Sequence, residues 1–157
     1  MQSRGSFVHC DNLIKYDADA EDIFGSLQEA MTHAAGLAKF FFPAMNKHSQ
    51  RDLMIARTRS LRDEYGIGDD HPLANRDLRN KFEHFYENLD LFLLKNDSGC
   101  FLPMPIVGDY RLQQDPVGNI FKLIDPQNQH CVLLGEVFDY GSIRASIEVI
   151  CASFESD

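Results

Sequence analysis

From Ile23 to Phe41 the apolar residues return at steps of four and three (Ile23, Leu27, Ala30, Ala34, Leu37, Phe41), and the run stops at Pro43. That spacing keeps one side of an α-helix apolar for about five turns. A proline ends such a helix because it lacks an N–H and its ring clashes with the preceding turn. The acids Asp17, Asp19, Glu21 and Asp22 gather where the helix begins, next to the positive end of its dipole. The pattern predicts a helix over roughly 18–42. A stripe of that length must be covered by other elements, and the rest of the chain supplies candidates.

The segment QRDLMIARTRSLRDEYGIG predicts a second helix, with Ser49 as its cap, Met54, Leu61 and Tyr65 on its apolar side, and Gly66 or Gly68 at its end. A third opens after DDHPLAN, with Pro72 in its first turn, and runs to about Lys95. Its stripe is Leu78, Phe82, Phe85, Leu89 and Phe92. Residues 96–119 hold three prolines and three glycines and read as loop or short extended pieces. IFKLI (120–124) and HCVLLGEVF (130–138) flank the turn-forming DPQNQ, which predicts a β-hairpin. Residues 141–154 predict a last helix, with Ser142 as cap and Ile143, Ile147, Ile150 and Phe154 as its stripe. Residues 1–16 read as an irregular lead-in. The fold expected is mainly α, a helical bundle with a small β-hairpin inserted before the C-terminal helix. It would form one domain over 1–157, with its helical core at about 18–95 and 141–154 and the loop and hairpin at about 97–138.

With 157 residues the chain is long enough for one domain with a real core. Its net charge of −9 excludes a polycation built for indiscriminate nucleic-acid binding. The charge is unevenly spread. Lys39 to Arg62 carries six Lys or Arg against the single acid Asp52, a net of +5 that leaves −14 for the remainder. Cys10, Cys100, Cys131 and Cys151 are scattered and suggest neither a disulfide framework nor a four-thiolate zinc site. The first residues lack the apolar segment of a secretory signal, and the apolar stretch 34–45 is interrupted by Lys39 and Pro43 and too short to span a bilayer. The expectation is a soluble protein in a reducing, cytoplasmic setting, with no membrane partner.

The third helix carries Arg79, Asn80 and His84 off its apolar stripe. Arg79 lies about 100° from Leu78 around the helix and His84 about 240°, so the two diverge by about 140°. One reading is surface decoration, in which Arg79 pairs with Glu83 four residues on and His84 is solvated. The other is a site for a phosphodiester. A long guanidinium can cover the gap to the imidazole around a kink or across a dimer interface. On the second helix, Arg51, Arg59 and Arg62 fall within roughly an 80° sector, a candidate face for a nucleic-acid backbone. Arg76, just before the motif, adds to it.

The segment LRNKFEH, with Arg79, Asn80 and, after three further residues, His84, resembles the signature of the HEPN superfamily. The resemblance covers about residues 18–95, with the last helix completing the bundle, whereas the hairpin is not something that pattern predicts. It implies metal-independent RNA cleavage, in which the ribose 2′-hydroxyl attacks the adjacent phosphorus. Such chemistry needs a proton acceptor that works near neutral pH, which an imidazole is. It also needs a fixed cation for the charge growing on the phosphoryl oxygens, which a guanidinium meets with paired hydrogen bonds. By the resemblance Arg79 and His84 are catalytic, with Asn80 orienting the imidazole or holding a phosphate oxygen, while Arg51, Arg59, Arg62 and Arg76 bind RNA. The role implied is a ribonuclease toxin or microbial-defence effector, acting as a homodimer and answering to a cognate antitoxin or activator, with no cofactor and no metal. The alternatives are a non-catalytic HEPN-like module that binds a partner protein or a nucleotide, and a helical structural protein outside that superfamily.

Other motifs carry less. His9-Cys10 and His130-Cys131 together could supply four metal ligands, but neighbours on a strand face opposite ways, so neither pair easily bites one ion. The acids Asp63, Glu64, Asp69 and Asp70 sit at a helix end, where a charge run is a solvated turn. YGIGDD lacks the length and the Lys-Ser/Thr of a phosphate-binding loop. Phe40, Phe41 and Phe42 read as core or a subunit contact, and no serine sits in a nucleophile-elbow context.

Overall fold

The computed structural model describes residues 2–44, 51–114 and 118–155. The chain is mainly helical, with a small β region before the last helix. The described residues form six α-helices: α1 (Gln2–Lys15), α2 (Ala20–Phe41), α3 (Arg51–Glu64), α4 (Asp77–Glu83), α5 (Phe85–Lys95) and α6 (Gly141–Glu155). Six short strands lie between α5 and α6: β1 (Cys100–Leu102), β2 (Ile106–Val107), β3 (Gly118–Ile120), β4 (Lys122–Asp125), β5 (His130–Leu133) and β6 (Glu136–Asp139).

Helix α2 follows its sequence pattern. Ile23, Leu27, Ala30, Ala34 and Phe41 are buried, and Leu37 packs beside them. Residues 2–15, expected to be irregular, are instead helix α1. Its buried face is Ser3, Ser6, Phe7 and Cys10, a helical spacing hidden because two of the four are serines. Small side chains let the two backbones approach: the Ser26 hydroxyl donates to the Ser6 carbonyl at 3.3 Å, and the Cys10 thiol to the Ile23 carbonyl at 3.7 Å. Asp17, at φ 53°, ends α1 with the amides of Asp17 and Ala18 turned back onto Ile14 and Leu13. Gly66, at φ 62°, ends α3 the same way, with the Ile67 amide on the Arg62 carbonyl. The expected cap Ser49 lies outside the described residues.

Pro72 opens a separate 3-10 turn, Pro72–Ala74, capped by His71, rather than the third helix itself. The single helix expected from there to Lys95 is divided at His84, whose φ and ψ of −106° and 27° separate α4 from α5. The Asn88 side chain donates to the His84 carbonyl at 2.7 Å, beside the Asn88 amide at 3.0 Å. The ladder bonds into and out of His84 are kept, with its own amide on the Asn80 carbonyl at 2.9 Å, so the break lies in the His84 backbone angles, with neither proline nor glycine there.

The β region is larger than the one hairpin expected. β4 and β5 pair antiparallel around the 125–130 turn, but residues 130–138 are two strands, not one. Leu134 and Gly135, at φ 52° and 78°, make a two-residue turn between β5 and β6. The sheet order is β2-β4-β5-β6, with β2 parallel to β4, and β1 pairs separately with β3. Side chains alternate between two apolar clusters. Ile124, Cys131 and Leu133 join the core formed by the helices, whereas Leu123 and Val132 join Ile120 in a second cluster with Leu102, Ile106 and Tyr110 around it. In α6, Ile143, Ile147 and Ile150 are buried as expected, with Cys151 beside them. Phe154 stays half-exposed and meets the Tyr65 ring at 5.0 Å. Ser142 sits inside the first turn of α6, and its amide donates to Asp139 Oδ1 instead of its hydroxyl capping the helix.

Asp125, only 2% exposed, closes the turn after β4. Its carboxylate accepts from the amides of Tyr110 and Asn128, each at 3.0 Å, and from the Asn128 side chain at 2.8 Å. Burial pushes its pKa up, but the Asn128 side-chain and amide donors, with the amides of Tyr110 and Gln127, outweigh it and leave the group below the ordinary carboxylate value. The stabilisation is therefore complete above the unfolded-state pKa and is lost as pH falls through the lower folded-state value. Replacing Asp125 with Asn should lower unfolding free energy by ~2–3 kcal/mol at pH 7, from lost hydrogen bonds to a charged group. Urea titrations should show that deficit shrinking as pH falls below about 4, the ordinary aspartate value of the unfolded chain, and on through the lower folded-state value.

Candidate functional site

Arg79 is the third residue of α4, and its side chain turns toward α2 and α3 rather than toward His84. It lines a cavity of about 300 Å³ together with Lys39 of α2, Arg57 of α3 and Arg76, the residue that precedes α4. The floor is apolar, built from Met31, Ala34 and Ala38 of α2, Leu73 and Ile143 among others. No carboxylate lines it among the described residues. Arg76 is held by a 2.9 Å hydrogen bond from its Nη2 to the Phe42 carbonyl, and Arg57 lies over the Phe40 ring at 5.7 Å. The buried Arg79 Nε lies 3.3 Å from Glu83 Oε1, an ionic approach outside hydrogen-bond geometry, so this nitrogen has no hydrogen-bond partner. The i, i+4 pairing with Glu83 that the sequence allows is thus present in electrostatic form.

His84 occupies a different place. It sits at the break between α4 and α5, 55% exposed in its side chain, over an open depression lined by Asn80, Lys81, Glu87, Asn88 and Glu136. Glu87 Oε2 approaches its Nδ1 at 3.0 Å. Asn80 joins the two halves of the motif. It lines the His84 depression, and its Oδ1 accepts from Arg79 Nη2 at 3.4 Å. One chain therefore brings Asn80 to both residues but does not bring Arg79 and His84 into a common pocket.

The basic residues of α3 divide as well. Arg51 and Arg59 are exposed. Arg62 is engaged in the fold: Nε donates to the Ile67 carbonyl at 3.1 Å, Nη2 meets Asp69 at 2.5 Å, and the guanidinium covers the Phe42 ring. Lys39 and Arg57 were not singled out from the sequence, although both lie inside its basic segment. What marks them is the tertiary fold, which sets them beside Arg76 and Arg79. Of the two His-Cys pairs, Cys10 is buried between α1 and α2 and its thiol is pushed up to about 11, chiefly by burial. Cys131 lies in β5, and burial raises its pKa too. No group of three or more His, Cys, Asp or Glu able to hold a metal ion occurs among the described residues, and none of their helices is long and apolar enough to cross a membrane. No family model, curated protein or solved structure matches the chain.

His84 makes a surface ion pair, and Arg79 makes one i, i+4 ion pair and one hydrogen bond to the neighbouring Asn80 at the rim of a cavity, so both should be dispensable for folding. Arg79→Met and His84→Ala are expected to unfold within ~1 kcal/mol of wild type, whereas Leu78→Ala, at a buried position of the same helix, should cost ~2–5 kcal/mol. Denaturant midpoints check this. A collapse of either site variant would mean that its residue supports the fold.

Proposed function

We propose that the chain is a metal-independent endoribonuclease of HEPN type, a toxin or microbial-defence effector that works as a homodimer. The observation that carries the reading is the pairing of an exposed, carboxylate-oriented imidazole with a separate arginine on the same short motif. Glu87 at Nδ1 favours the tautomer with its proton there, leaving Nε2 as the base. Nε2 takes the proton of the ribose 2′-hydroxyl, the 2′ oxygen bonds to phosphorus, and the bond from phosphorus to the 5′ oxygen breaks. The leaving oxygen gains a proton from solvent, and a 2′,3′-cyclic phosphate remains. Arg79 stabilises the phosphoryl oxygens.

Since one chain holds these residues apart, the site is completed by the partner's arginine. Helix α5 supports such a partner. It has no buried residue, and Tyr86, Leu91 and Leu94 along it are 79%, 66% and 81% exposed, Leu91 in the depression that holds His84. The same apolar helix favours a second reading, a non-catalytic helical module that binds a partner protein, with a nucleotide as the other ligand considered.

RNA cleavage should persist in EDTA, leave cyclic phosphate ends, and weaken steeply with salt as backbone contacts release counterions. Light scattering should give a dimer. A strictly monomeric protein that binds RNA without cutting it would favour the adaptor reading instead.

Subunit exchange tests the shared site directly. Arg79→Ala and His84→Ala dimers are each inactive, but a mixed dimer retains one site with both residues intact. With random pairing about half the dimers are mixed, so about a quarter of wild-type activity should return. Activity that stays at the single-mutant level, with exchange confirmed by mass, overturns the shared pair.

A further inference from the structure

We infer that the cavity between α2, α3 and α4 is a binding site for a small phosphate monoester with a hydrocarbon or aromatic body. This inference does not depend on RNA cleavage. Two properties of the cavity lead to it. The first is charge. Lys39, Arg57, Arg76 and Arg79 line one cavity without an acid among its described lining residues, on a chain whose net charge is −9. Like charges gathered in this way repel one another, and a dianion between them removes that repulsion while accepting charge-assisted hydrogen bonds. The partners these cations do have leave capacity open. Arg76 gives one nitrogen to a carbonyl, Arg57 meets a ring face, and Arg79, though it has Glu83 3.3 Å from Nε and Asn80 at one Nη2, keeps its other guanidinium N–H groups for an anion.

The second property is the interior. Below the cations the walls are Met31, Ala34, Ala35, Ala38, Leu73 and Ile143, and among the described residues Asn75 is the only neutral polar side chain in the lining. A sugar or a nucleobase would bury hydroxyls and ring nitrogens there with almost nothing to bond, at a free-energy cost. A hydrocarbon or aryl group loses nothing by entering. The alanines on α2 make the room: each leaves space that a larger side chain would occupy. At about 300 Å³ the cavity is at the small end of ligand pockets, suited to a body of one or two rings.

Isothermal titration of the full chain at low salt with 1-naphthyl phosphate tests this. One molecule should bind per chain, at least about tenfold more tightly than inorganic phosphate, 1-naphthol or adenosine monophosphate, since only the first satisfies both charge and floor. The double variant Lys39→Gln/Arg57→Gln changes two exposed residues outside the proposed catalytic pair and should weaken binding about tenfold or more. Ala35→Leu should fill the floor and abolish binding. If that variant fails to fold, the charge variant still decides. His84→Ala protein should bind as wild type does, which separates this site from the ribonuclease reading. Naphthyl phosphate that binds no better than phosphate, adenosine monophosphate that binds better, or an isotherm unchanged by the charge variant would each overturn the inference.

Discussion

The close packing of α1 against α2 through small side chains is the constraint from which the rest of the arrangement follows. Ser6, Cys10 and Ser26 at that junction replace the bulky residues that would hold two helices apart; Cys10 and Ser26 donate to carbonyls of the facing backbone, and the Ser6 hydroxyl to the Gln2 carbonyl of its own helix. With α1 held in place, Asp11 meets Arg144 of α6 through two hydrogen bonds of 2.8 and 2.6 Å, and the Phe7 ring stacks on that of Tyr140 at the start of α6. Helix α6 is thereby set so that Ile147 is fully buried and Ile143 reaches the cavity that α2 lines from the other side. The sheet follows in turn, because Ile124, Cys131 and Leu133 find their apolar surroundings in the same cluster.

That dependence explains what could be read from the sequence. The stripes of α2 and α6 rest on Ile, Leu, Ala and Phe at helical spacing, so periodicity alone placed both within a few residues. Helix α1 escaped because its buried face is half serine, and a polar residue buried for its small size leaves no trace in a hydrophobic pattern. The strand break at Leu134 escaped for a related reason. Leucine is an unfavourable residue for a left-handed backbone, yet here its side chain is 5% exposed and its amide bonds the Phe121 carbonyl at 2.9 Å. Tertiary packing overrode the local preference. The division at His84 has no marker in the sequence, since neither a proline nor a glycine stands there.

The candidate residues could be named from the sequence, but not their geometry. Arg79, Asn80 and His84 were marked by type and spacing, and the helical period already put Arg79 and His84 on different faces. The break at His84 keeps them in separate depressions. The four-cation cavity was not legible, because Lys39, Arg57, Arg76 and Arg79 come from three separated parts of the chain. Only the packing of α3 and the α4 region against the end of α2 gathers them.

The same charges bear differently on the two uses proposed for them. Arg62, counted from the sequence as a backbone contact for RNA, has its guanidinium committed to Ile67, Asp69 and Phe42, so displacing it would expose an apolar ring and break an ion pair. Arg51 and Arg59 are exposed and among the described residues bear no such obligation, which suits them to follow a flexible phosphate chain. Arg79 belongs to neither class. Its Nε is buried toward Glu83 while Nη2 reaches Asn80, so the guanidinium is anchored at one edge and linked through an amide to the depression that holds His84. An arginine fixed in this way loses little further entropy when an anion arrives, and that holds whether the phosphate is part of an RNA strand or the head of a small molecule.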